Sequence, residues 1–292
     1  MKAVAEKLTI RDFEAKKPGW CPGCGDYGIY AALRNAFVQL GLHPEQIVLV
    51  GGIGCSGKIA DYIRTYSVHT LHGRILPVAT GIKLANPHLV VIGVGGDGDA
   101  YAIGMSHLIH TGRRNPDITY IVMDNQIYGL TKGQASPTSE QGMMTPASPY
   151  GSKEGPVDGV SIALSAGATF VARGFAGNPK ELAEIIKRAI QHKGFSFVDA
   201  LSPCVTFNRI NTYDWFRERI VPFPEKTGGY TRDEALAQVL QIRSQGKIPT
   251  GIIYEEEGPS YEEEILTDPD RPIAHLDLTP KPEFWDLLKR YQ

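Results

Sequence analysis

The chain has 292 residues, room for one large α/β domain or two small ones. Its 42% apolar and 21% charged content is globular, and a net charge of −2 gives no basic field for nucleic acid. No apolar run approaches the ~18–20 residues of a membrane span. Met1 to Asp12 has no signal-peptide core, so a cytoplasmic location is the expectation.

Residues 1–25 read as irregular and lead into Cys21-Pro22-Gly23-Cys24-Gly25. Asp26 is a good cap for a helix on which Ile29, Leu33, Phe37 and Leu40 share a face, with Gly41 as its stop. A buried strand over 47–50 runs into the glycine-rich loop Gly51 to Lys58, and 77–85 reads as a short helix ended by Asn86-Pro87. The apolar run 89–94 predicts a second buried strand, followed by Gly95-Gly96-Asp97-Gly98-Asp99. A helix over 100–112 and a strand over 118–123 lead to Asp124-Asn125-Gln126-Ile127-Tyr128-Gly129. Residues 129–157 show no period, and a stretch that long is either functional or disordered. Helices follow over 160–167 and 179–192, and strands over 169–172 and 195–201. Past residue 225 the pattern weakens to a helix over 231–242, a short strand at 252–253 and an acidic tail closing on 282–291. The alternation argues for α/β architecture, a doubly wound, mostly parallel sheet over residues 1–225. Residues 226–292 read as an extension packed on that domain or on a partner subunit.

The stretches at 95–99 and 124–129 each sit at a strand's carboxyl end, where open α/β sheets bind ligands. Asp97 and Asn125 offer hard oxygen ligands to Mg²⁺, and the glycines let backbone approach a phosphate. Together they make a metal–diphosphate clamp. The four cysteines, Cys21, Cys24, Cys55 and Cys204, all lie in loops. Four thiolates suit either zinc or an iron–sulfur cluster, and the spacing leaves open a third possibility, unligated thiols.

Taken in order, several motifs resemble the β subunit of the 2-oxoacid:ferredoxin oxidoreductases. They are Cys21-Pro22-Gly23-Cys24-Gly25, Ile53-Gly54-Cys55-Ser56-Gly57-Lys58, His72-Gly73-Arg74, Gly96-Asp97-Gly98-Asp99, Asp124 to Gln134 and the late Cys204. The resemblance spans about residues 18–225, and Asn211 to Arg217 looks most like the 2-oxoglutarate branch, with the pyruvate branch as the alternative. Position 124 is Asp where other thiamine motifs have Asn; members of the resembled family carry Asp there too.

The resemblance implies a thiamine diphosphate-binding, pyrophosphate-type fold and an enzyme that oxidatively decarboxylates a 2-oxoacid, reduces ferredoxin and acylates coenzyme A. It implies a 4Fe–4S cluster on Cys21, Cys24, Cys55 and Cys204, and Mg²⁺ on Asp97, Asn125 and the Ile127 carbonyl. The diphosphate pocket would be shaped by Gly54, Ser56, Gly57, Gly96, Gly98, Asp99, Tyr128, Gly129, Leu130 and Thr131. Lys58 is the first candidate for the substrate carboxylate. His72 is a candidate proton donor, Arg74 an anion contact and Leu130 a pocket wall. Lys16 and Lys17, beside the cysteine loop, are candidates for steering acidic ferredoxin. No glutamate is placed to activate the cofactor's aminopyrimidine ring, which implies an α subunit that supplies it. The competing readings are a non-oxidative thiamine decarboxylase with structural zinc and a non-catalytic metal-binding scaffold.

Overall fold

The computed structural model describes residues 8–266, 268, 272–277, 279–280 and 282–290. In chain order the elements are α1 (Asp26–Leu40), β1 (Ile47–Gly51), α2 (Ile59–Tyr62), β2 (Tyr66–His69), α3 (Ile75–Ala85), β3 (Val90–Gly96) and α4 (Met105–Arg114). There follow β4 (Thr119–Asp124), α5 (Gly159–Ser165), β5 (Phe170–Phe175), α6 (Pro179–Gln191), β6 (Ser196–Leu201), α7 (Tyr213–Arg219), β7 (Ile220–Pro222), α8 (Arg232–Ser244), β8 (Ile248–Glu255), α9 (Tyr261–Ile265) and α10 (Pro282–Lys289). The strands form one eight-stranded sheet in the order β2-β1-β3-β4-β6-β5-β8-β7. Every pairing is parallel except β5 with β8.

Parallel strands need cover on both faces, and the side chains alternate accordingly. On β4, Ile121 and Met123 face the layer of α1 and α6, where Leu33, Phe37, Leu182 and Ile186 are buried. Tyr120 and Val122 face the opposite layer, with Ile75 and Leu76 of α3, Leu108 of α4 and Val160 of α5. Each large side chain so buried contributes roughly 1.5–3 kcal/mol.

Several elements differ from the sequence expectation. Gly25, not Asp26, is the cap of α1; Asp26 is the first helical residue and fully buried. The expected helix over 100–112 is a π-helical turn, Asp99–Ile103, followed by α4. That turn lets Asp99 reach back to the main chain of residues 53 and 73, and such turns gather at functional sites. The edge strand β2 has every residue exposed and so no apolar run to mark it. The short strand expected at 252–253 is the eight-residue β8, and α8 packs beside it, with Val239 and Ile253 in the same buried cluster as Tyr120. The sheet therefore continues past residue 225. The expected end of the tail at Tyr291 lies outside the described residues. Among the described residues no helix is long and apolar enough to cross a membrane.

Candidate active site

The carboxyl ends of β3 and β4 open into a cavity of about 480 Å³. Of the residues expected around a cofactor, Gly54, Ser56, Gly96, Asp97, Gly98 and Asp99 line it from one side. Asn125, Ile127, Tyr128, Gly129, Leu130 and Thr131 line it from the other, and His72 joins them. Gly57 does not: a Cβ there would stand 1.9 Å from the Gly52 carbonyl oxygen, so it closes the loop behind the cavity. Gly98 is required for packing, since a Cβ would stand 2.1 Å from the Tyr128 ring, whose hydroxyl donates to the Gly98 carbonyl at 3.3 Å. The turn after Tyr128 is pinned by Tyr128 N to Gln134 O at 2.9 Å and Gly133 N to Tyr128 O at 2.8 Å. This presents Leu130 and Thr131 to the cavity.

Asp97 is buried, and burial pushes its carboxyl up to about 6. Asn125 Oδ1 accepts from Ile127 N at 3.1 Å, an Asx turn that draws residues 125 and 127 to one side. Gln126 between them has φ of 57°, a left-handed conformation uncommon for a residue with a side chain. Sequence reasoning missed Thr138, whose Oγ1 stands 2.7 Å from Asp97 Oδ2 and 2.8 Å from Asp124 Oδ1. One hydroxyl proton cannot serve two carboxylates, so one of the pair carries a proton. Burial, and then the charge on Asp97, pushes Asp124 well above the usual carboxylate range, making it the protonated member.

Asp99 acts as a strap. Its Oδ1 accepts from Ile53 N at 3.0 Å and Gly73 N at 2.9 Å and meets His72 Nδ1 at 2.9 Å. A carboxylate at Nδ1 favours the tautomer that leaves Nε2 free. Asp99 Oδ2 is buried without a partner among the described residues. Arg74 does not line the cavity; its Nη1 donates to the carbonyls of Gly73 and Ile103, at 3.2 and 3.3 Å.

A second cavity, of about 300 Å³, is lined by all four cysteines together with Trp20, Lys58 and Lys132. Cys24 N to Cys21 O, 3.0 Å, closes the first cysteine turn, and Gly25 N to Pro203 O, 3.0 Å, draws it to the loop of Cys204. Trp20 Nε1 holds the Cys55 carbonyl at 2.7 Å. A Cβ on Gly129 would stand 3.7 Å from the Sγ atoms of both Cys55 and Cys204, so the clamp turn abuts the thiols. Burial, then the charge of Asp26, pushes the Cys55 thiol up to about 11 and raises Cys24 further still. Lys58 opposes this at Cys55. Such thiols ionise only against a strong positive charge. Asp26, accepting from Ser202 Oγ at 2.7 Å, is a second group the sequence did not reveal; its only signal was the cap-like position before the helix.

Residues 52–200 match the family described as "Thiamine pyrophosphate enzyme, C-terminal TPP binding domain". Residues 204–267 match the family described as the C-terminal part of the pyruvate ferredoxin oxidoreductase β chain. Fold and site thus define a thiamine diphosphate-binding oxidoreductase subunit. The chain is 46% identical over 273 residues to the 2-oxoacid:ferredoxin oxidoreductase subunit beta of Saccharolobus solfataricus, a match covering 89% of this chain and 88% of that one. It is 49% identical over 189 residues to the 2-oxoglutarate oxidoreductase subunit KorB of Mycobacterium tuberculosis, covering 65% of this chain and 51% of the relative. A solved structure, "2-oxoglutarate:ferredoxin oxidoreductase from Magnetococcus marinus with 2-oxoglutarate, coenzyme A and succinyl-CoA bound", superposes with a TM-score of 0.88 at 39% identity. That match covers 97% of this chain and 96% of the other. The chain belongs to the β subunits of the 2-oxoacid:ferredoxin oxidoreductases.

Proposed function

We propose that the chain is the β subunit of a 2-oxoglutarate:ferredoxin oxidoreductase, and that it holds Mg²⁺, the diphosphate end of thiamine diphosphate and a 4Fe–4S cluster. The assembled enzyme converts 2-oxoglutarate and coenzyme A to succinyl-CoA and CO₂ while reducing ferredoxin, and runs in reverse as a reductive carboxylase. One observation carries this reading: Cys55, Asn125, Gly129 and Leu130 line both cavities. A cofactor in the first and an electron acceptor in the second would be separated by single side chains.

The residues fit both groups. Asp97 and Asn125 supply two side-chain oxygens, and the Ile127 carbonyl a third; Mg²⁺ completes such a set with phosphate oxygens and water. A zinc ion ~2.3 Å from each sulfur would draw four thiolates close together. Among the described residues no three His, Cys, Asp or Glu side chains converge in that way. Four thiols ringing a cavity of about 300 Å³ favour a polynuclear cluster.

When bound, thiamine diphosphate supplies a carbanionic nucleophile and an electron sink, and the cluster accepts electrons singly. His72, oriented by Asp99, offers Nε2 for proton transfer or a hydrogen bond at the reacting oxygen. Leu130 walls the pocket. Lys58 is exposed and makes no ion pair among the described residues, which leaves it free to meet the distal carboxylate of 2-oxoglutarate. No glutamate lines the clamp cavity, which supports an α subunit as the source of the activating glutamate and the pyrimidine site, in an αβ heterodimer or a dimer of these. Ferredoxin would dock near the cysteine cavity, where Lys132 joins Lys58.

Anaerobic absorption, EPR and metal analysis of the purified complex test the assignment. Iron with a dithionite-bleachable visible band is expected; zinc without iron refutes the cluster. A substrate panel on the same complex should give the highest kcat/KM with 2-oxoglutarate.

A further inference from the structure

The irregular segment 129–157 sends one buried turn to the metal side of the clamp. Ser136, Thr138 and Ser139 are buried, whereas Met144 and Tyr150 farther along are 74% and 90% exposed. The turn is closed by Ser139 N to Ser136 O at 3.1 Å and Ser136 N to Ser139 Oγ at 2.8 Å. It holds both halves of the clamp. Ser139 Oγ donates to the Gln126 carbonyl at 2.7 Å, between Asn125 and Ile127, while Thr138 Oγ1 reaches Asp97 Oδ2, 41 residues away in sequence.

We propose that Thr138 is a positioning residue for the metal: its hydroxyl fixes the rotation of the Asp97 carboxylate, and the 136–139 turn and the cation order each other. A carboxylate left without this donor would have to be ordered by the metal itself, at the expense of affinity. Because coupling between two events is reciprocal, metal and diphosphate must steady the turn by as much as the turn favours the metal. The inference rests on the Mg²⁺ clamp proposed above.

The test uses the assembled enzyme with thiamine diphosphate, titrated with Mn²⁺ as an EPR-active stand-in for Mg²⁺. Thr138→Val should weaken Mn²⁺ binding about tenfold or more, the effect of losing a hydrogen bond to a charged group, and Thr138→Ser should stay within about threefold of wild type. Thr119→Val removes another buried hydroxyl, one bonded to the Ala189 carbonyl at the far end of β4, and should leave Mn²⁺ binding unchanged. Amide exchange over residues 134–141 should slow on adding Mn²⁺ and cofactor in wild type and Thr138→Ser, and not in Thr138→Val. Thr138→Ala replaces the valine variant if the latter loses the visible absorbance of a folded, cluster-bearing chain. Wild-type affinity in Thr138→Val, or in the alanine variant replacing it, overturns the inference alone. Failure of the wild-type enzyme to bind Mn²⁺, or undiminished binding in Asp97→Ala, overturns the clamp and the inference with it.

Discussion

Asn208 donates its side-chain amide to the main-chain carbonyl of Asn125 at 3.1 Å, which fastens the loop carrying Cys204 to the clamp. The same amide reaches Asn211 Oδ1 at 3.0 Å, and Asn208 Oδ1 accepts from the main-chain N–H groups of residues 210 and 211. Asn208 is almost wholly buried, so none of these bonds is readily replaced by water.

Asn208→Ala is therefore expected to loosen both sites at once. Leaving a buried carbonyl and two amides unpaired costs roughly 1–3 kcal/mol. The visible absorbance of the cluster should decay faster in the presence of an iron chelator, and thiamine diphosphate should bind more weakly in calorimetry. Change in only one of the two would show that the bond does not couple them.

Metal binding should depend on pH through Asp97. Burial raises its carboxyl from the ordinary 3.8 to about 6, so below that point the metal-free site holds a proton that Mg²⁺ must displace. The proton favours the metal-free state. Affinity for Mg²⁺ at saturating cofactor should be flat above about pH 7 and fall by about tenfold per pH unit once Asp97 is protonated. The measurement is a series of Mg²⁺ titrations from pH 5 to pH 8, referred to Mg²⁺ binding by the free cofactor over the same range. A profile no steeper than that of the free cofactor would refute the role of Asp97.

Lys58→Ala separates two uses of that side chain. If Lys58 meets the distal carboxylate, KM for 2-oxoglutarate should rise about tenfold or more, as for a lost charge-assisted hydrogen bond, while KM for pyruvate barely moves. Equal effects on both substrates, with a lower cluster potential in EPR-monitored redox titration, would assign Lys58 to the cysteine cavity that it lines.

Much of the sheet was readable because its signals are local. The apolar runs ending at Val94 and Met123 are strands β3 and β4, and the spacing of Leu182, Ile185, Ile186 and Ala189 is the buried face of α6, capped by Asn178. Strand β2 escaped because an exposed edge strand has no face to bury. Asp26 was misread because a carboxylate before a helix is a cap in most chains, and only the approach of Ser202, 176 residues on, shows it turned inward.

The sequence alone determined which residue types stand at the strand ends: Asp97, Asn125 and the glycines in one pair of loops, and the four cysteines in three others. Strand runs and loop composition are short-range properties of a chain, and they survive without coordinates. Only the tertiary structure decided that Cys55, Asn125, Gly129 and Leu130 form a wall common to two cavities, that Thr138 grips Asp97, and that Asn208 grips Asn125. Those contacts join residues 41 and 83 positions apart, and no local period encodes them; the parallel sheet supplies them by bringing successive strand ends to one edge.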